Sequence, residues 1–115
     1  MVIIKITEDD TDLHVWVFNR EEKIANITLE KFILIDEAGK EGVINFYKYN
    51  PGADTKSESI PIVLGSGEAA EHMINLQLMR NQIRKFDMGG VVQVSSQAVV
   101  DGRLYNSDNS LTIIQ

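Results

Sequence analysis

Short apolar runs separated by polar turns fill most of the chain, and their spacing sets the first expectations. VIIKI (2–6) is followed by the polar TEDDTD and then by LHVWVF (13–18). Side chains alternate along an extended strand, so Leu13, Val15 and Val17 share one face and His14, Trp16 and Phe18 the other. Both faces are largely apolar. This strand is expected to be covered on both sides, or on one side by a partner.

IANITLEKFILI (24–35) begins with clean alternation, Ala25, Ile27 and Leu29 against Asn26, Thr28 and Glu30, and turns continuously apolar from Phe32. The change predicts a strand that bends or passes from an exposed setting into the core. VINFYKY (43–49) is expected to return as the hairpin partner of 31–36. NPGADTKSES (50–59) has no large apolar residue and reads as a mobile loop. In IPIVL (60–64), Pro61 predicts an edge strand or a strand end. After Gly89-Gly90 the pattern is β again, with an Asp101-Gly102 hairpin turn before RLY and a last run, LTIIQ.

One stretch departs from this pattern. Residues 68–87 carry helical spacing, preceded by LGSG (64–67). Ser66 is the expected N-cap, with Gly65 and Gly67 allowing the change of direction. Glu68 and Glu71 fall in the first turn and Arg80, Arg84 and Lys85 near the far end, the polarity a helix dipole favours. At about 100° per residue, Ala69, Met73, Leu76, Met79, Ile83 and Phe86 form one broad face, with His72 inside it. Ala70, Ile74 and Leu78 form a second apolar stripe. A helix on one sheet needs a single stripe, so the second is expected to lie under a loop, a terminus or another subunit.

The expected fold is therefore β-rich α+β: a mostly antiparallel sheet, sandwich or partly rolled barrel with one amphipathic helix packed on it. The 115 residues suit a single domain spanning 1–115. With no cysteine, disulfides and zinc–thiolate sites are excluded. No run approaches a membrane span, and the expected location is cytoplasmic. The net charge of −6 disfavours general nucleic-acid binding.

GSGEAA (65–70) lacks the lysine of a phosphate loop, and Glu68 and Glu71 would repel a phosphate. Glu68 and His72 have the spacing of helical metal ligands but no third partner. Asp10, Asp12 and Glu21 fit an EF-hand spacing, yet Val15 stands where glycine is required. Ser66 lacks a nucleophile elbow. Carboxylates such as Glu30 with Asp36 or Glu41 cannot be paired by spacing alone. Arg80, Arg84 and Lys85 with Tyr47 and Tyr49 make a thin groove for a single strand of nucleic acid.

The expectation is thus a non-enzymatic interaction or assembly protein, with no catalytic residue, metal or cofactor. Its expected partner is protein, through self-association or a larger assembly, with neither nucleic acid nor membrane. The candidate contact residues are Trp16, Phe18, Ala70, Ile74 and Leu78. Small structural or adaptor subunits of virions and other assemblies offer an analogy only. Two alternatives remain: a small-ligand pocket near His14, Trp16 and His72, and an enzyme using unlocated carboxylates.

Overall fold

A computed structural model describes residues 1–45 and 60–115. Among them are nine strands and one helix: β1 (Val2–Glu8), β2 (Asp12–Asn19), β3 (Ala25–Asp36), β4 (Glu41–Asn45), β5 (Ile60–Leu64), β6 (Ala69–Asn75), α1 (Leu76–Lys85), β7 (Val91–Val100), β8 (Arg103–Asn106) and β9 (Leu111–Ile114). Two antiparallel sheets face one another, and neither closes into a barrel. The smaller runs β1-β2-β6. The larger has β3 and β7 at its centre, with β4 and β5 end to end on one flank and β8 and β9 on the other. The β-rich α+β class is as the patterning predicted.

The core lies between the sheets. Ile4, Ile6, Leu13, Val15 and Val17 enter from the small sheet, and Ile27, Leu29, Phe32, Leu34, Val92 and Val94 from the large one. The bend expected in β3 is a bulge: pairing with β7 slips between Leu29 and Lys31. One extra residue resets the alternation, so Leu29 and Phe32 both face the core although three positions apart. β4 pairs with 31–35, the expected hairpin. Pro61 sits in β5, which among the described residues pairs only with β3. Asp101 and Gly102 both take positive φ in the β7–β8 turn, as a tight hairpin requires. The loop expected at 50–59 and residues Tyr47 and Tyr49 lie outside the described residues.

The helix is shorter than its sequence pattern suggested. It begins at Leu76 rather than near 68, and the residues before it are strand β6. Ser66 is consequently not its N-cap. That role belongs to Asn75, whose Oδ1 accepts from the backbone N–H of Gln77 (2.9 Å) and Leu78 (3.2 Å). No acid lies in the first turn, while Arg84 and Lys85 do occupy the last. At the far end Asp87 adopts φ 56°, and Met88 N–H reaches back to the Ile83 carbonyl, a Schellman closure. Leu76, Met79 and Ile83 enter the core. Beyond them Phe86 and Met88 lie so close to Gly42 of β4 that a β-carbon there would meet both at 3.0 Å.

GSG (65–67) is instead the turn that carries the chain from β5 in one sheet to β6 in the other. Glu68 N–H donates to the Gly65 carbonyl (3.1 Å), and Gly67 takes φ 78°. Ser66 Oγ donates to the Glu21 carbonyl (2.7 Å).

Candidate interaction surface

β2 is the central strand of the small sheet, and its two faces have separate tasks. Leu13, Val15 and Val17 are fully buried. His14, Trp16 and Phe18 stand half-buried on the outer face, stacked in a row: ring centroids are 6.1 Å apart from His14 to Trp16 and 6.3 Å from Trp16 to Phe18. The interplanar angles of 15° and 13° mean that the ring planes are nearly parallel. The row forms an apolar ridge along the outer face of the strand.

The pairing registers place the ridge's neighbours. Ile3 and Ala69 flank Phe18, Lys5 and Glu71 flank Trp16, and Thr7 and Met73 flank His14. Met73 is 54% exposed.

The polar atoms of the ridge have partners within the chain. Trp16 Nε1–H donates to Thr7 Oγ1 (2.9 Å). His14 Nε2 lies 2.7 Å from Asp9 Oδ2; a carboxylate only accepts, so Nε2 carries the proton. On the other side, Nδ1 is 3.3 Å from Glu71 Oε2. The hydrogen bond to Asp9 raises the His14 pKa above its ordinary value, against a smaller opposing effect of desolvation, with further help from the charges of Asp9 and Glu71. The same bond, with the N–H groups of Thr11 and Asp12, holds the Asp9 carboxyl well below the usual carboxylate range.

The acidic EDDTD segment is thus a turn built on Asp9. Its Oδ1 accepts from Thr11 N–H (2.9 Å) and Asp12 N–H (2.8 Å). Among the described residues no group of three or more His, Asp or Glu is placed to hold a metal ion.

The other predicted contact residues disperse. Ala70, His72 and Ile74 lie on the inner side of β6, and Ile74 is 1% exposed, covered by the chain's own residues. The second helical stripe therefore does not exist. Leu78 lies on α1 and is 49% exposed, well apart in sequence pattern from the inner face of β6. The expected pocket near His14, Trp16 and His72 is also overturned: β2 pairs Val15 with His72, so His72 faces inward while the rings face outward. Burial lowers the His72 pKa. The open depression of about 320 Å³ lies elsewhere, lined by Glu21, Lys23, Val100, Asp101, Arg103 and Tyr105.

Two features escaped the sequence reading. Asn109 closes one edge of the small sheet: its side chain accepts from Ile6 N–H (2.8 Å) and donates to the Ile6 carbonyl (2.6 Å), beside a bond from Asp108 N–H to the Ile4 carbonyl. Asn19, 1% exposed, ties the end of β2 to the turn that follows it, through Glu21 and Lys23, and to the end of β5, through Leu64 and Gly65. The partners that give each asparagine its role are distant in sequence: Ile6 is 103 residues from Asn109, and Leu64 and Gly65 are 45 and 46 residues from Asn19.

No family model matches the chain, and no curated protein does. Among solved structures, the X-ray structure of Northeast Structural Genomics Consortium target SoR45 is similar, with a TM-score of 0.47 and 12% identity over 100% of this chain and 84% of that one. A likeness at that level has no bearing on chemistry. Among the described residues no helix is long and apolar enough to cross a membrane.

Proposed function

We propose that the protein is a non-enzymatic protein–protein interaction or assembly module whose contact surface is the outer face of the small sheet. One observation supports this above all. Three stacked rings stand on a solvent-facing sheet, and the donors of Trp16 and His14 are already engaged within the chain. Such a ridge has apolar surface to bury and few polar groups left to direct chemistry on a small substrate. Lys5 and Glu71, on opposite sides of Trp16, form a polar rim around it.

Catalysis is a weaker reading. His14 Nε2 is bonded to Asp9 and Nδ1 is buried beside Glu71, so neither imidazole nitrogen is open to a substrate as a general base requires. The helix stripe no longer contributes to the argument, since Ile74 is buried by its own chain.

A photo-crosslinking side chain at Lys5 tests the proposal, with the same probe at Asn81 on the exposed side of α1 as control. In cells, the Lys5 probe is expected to give a discrete protein adduct that Phe18→Ser abolishes. Equal, diffuse labelling from both positions would contradict the proposal.

A further inference from the structure

The six flanking strands offer very different edges to a potential partner. β4 and β5 have five residues each, and β5 contains Pro61. β8 and β9 have four each. Short strands and proline blunt an edge against pairing. β1 has seven residues, but Asp108 and the Asn109 amide occupy its backbone groups at Ile4 and Ile6. β6 also has seven, and among the described residues its strand pairing is to β2 alone. It contains no proline or lysine, and its one carboxylate, Glu71, lies on the outer face 3.3 Å from His14 of its own chain, so it is the least guarded of the long edges.

The order of residues along β6 narrows what can pair with it. In an antiparallel pair of identical strands related by a two-fold axis, facing residues must lie on the same side of the sheet. A residue therefore meets either its own copy or one an even number of positions away. Centring on Glu71 would set two carboxylates opposite each other, which is unfavourable. Centring on His72 uses all seven residues: Glu71 then faces Met73 of the second copy, Ala70 faces Ile74, and Ala69 faces Asn75. Glu71 does not need a partner across that edge, because His14 of its own chain lies 3.3 Å from its carboxylate.

We infer that β6 pairs antiparallel with β6 of a second copy, centred on His72, joining two three-stranded sheets into one of six strands with the two aromatic ridges on the same face. The inference goes beyond the proposed function: it names the partner of the β6 edge and leaves the outer face open for a further contact. Backbone hydrogen bonds supply the attraction, and the Glu71–Met73 pairs set the register.

The test uses the purified full chain, with sedimentation velocity over a concentration series. The wild type is expected to show a monomer–dimer equilibrium. Met73→Glu places carboxylates opposite Glu71 twice and is expected to weaken the dimer roughly tenfold. Met73→Lys places an ammonium there and should leave it as tight or tighter. Met73 is exposed, so circular dichroism should report an intact fold for both. Because the chain lacks cysteine, His72→Cys introduces a single thiol at the axis and should form a disulfide dimer on mild oxidation, whereas Thr7→Cys near the closed edge should not.

A strict monomer at high concentration, with no His72→Cys cross-link, overturns the inference. So does an equal loss of dimer in Met73→Glu and Met73→Lys. If the Lys5 probe meanwhile forms an adduct with a different protein, the proposed function stands and only the second copy is wrong.

Discussion

At the scale of single residues, two histidines on neighbouring strands respond to acid in opposite senses. His14 gains a carboxylate partner on folding, so its pKa is raised. Its contribution to stability is fully present below the unfolded value of about 6.5 and is lost as pH rises through the folded value. His72 is desolvated, so its pKa is lowered. Its neutral form supports the fold above about 6.5, and that support is lost as pH falls through the folded value. Asp9, with a lowered pKa, contributes above about 4 and fades on further acidification. An NMR titration of both imidazoles should therefore give His14 a midpoint above 6.5 and His72 one below. Asp9→Asn should bring the His14 midpoint down. Identical midpoints in the wild type would contradict the geometry.

Asn19 is the residue whose loss should cost most for its size. Its amide donates to three carbonyls, and its Oδ1 accepts from Glu21 N–H (2.9 Å). Asn19→Ala leaves those groups without partners and should destabilise the protein by about 3 kcal/mol, measured by urea denaturation. Asn19→Asp should be worse, because it turns a carboxylate oxygen toward three carbonyls.

At the scale of elements, the two helix ends give paired expectations. Asn75→Ala removes the cap and should cost about 1 kcal/mol. Asp87→Gly relieves a non-glycine residue at φ 56° and should stabilise by about 0.5–1 kcal/mol in the same assay. If Ser66→Ala cost more than Asn75→Ala, the helix start at Leu76 would be wrong.

The misplaced helix start has a simple cause. Ala70 and Ile74 are four apart, and a spacing of four keeps two residues on one face of a strand as well as of a helix. EAAEHMIN is also rich in residues that favour helices, so propensity supported the wrong period, and pairing with β2 overrode it. By contrast, the bend in β3 was legible because alternation gives way to a continuous apolar run from Phe32. The strands at 13–18 and 60–64 were legible as short apolar runs between turns, whereas the runs 91–94 and 97–100, read as two, form the single strand β7. For the surface, Trp16 and Phe18 could be placed beside His14 from alternation alone. Asp9 and Glu71 could not be placed, because they reach His14 through a turn and a neighbouring strand.

At the scale of the whole molecule, the small sheet is asymmetric, and the proposed function rests on that asymmetry. One edge is closed by Asn109, the other is uncovered among the described residues, and the outer face between them carries the ridge. A chain of charge −6 repels its own copy, so association should tighten as salt is raised from about 10 to 150 mM. The charge balance was readable from composition. Which edge is closed was not, since that depends on where residues 107–110 come to rest after the chain has crossed both sheets.

The central claim is that the outer face of the small sheet becomes covered when the protein associates. Trp16 is the sole tryptophan and lies at the centre of that face, so its fluorescence reports on the claim directly. Its emission is predicted to shift to the blue and to become protected from acrylamide as the protein passes into a complex larger than the β6-paired dimer. Unchanged emission and quenching, in a sample whose mass exceeds that of the dimer, would contradict the account.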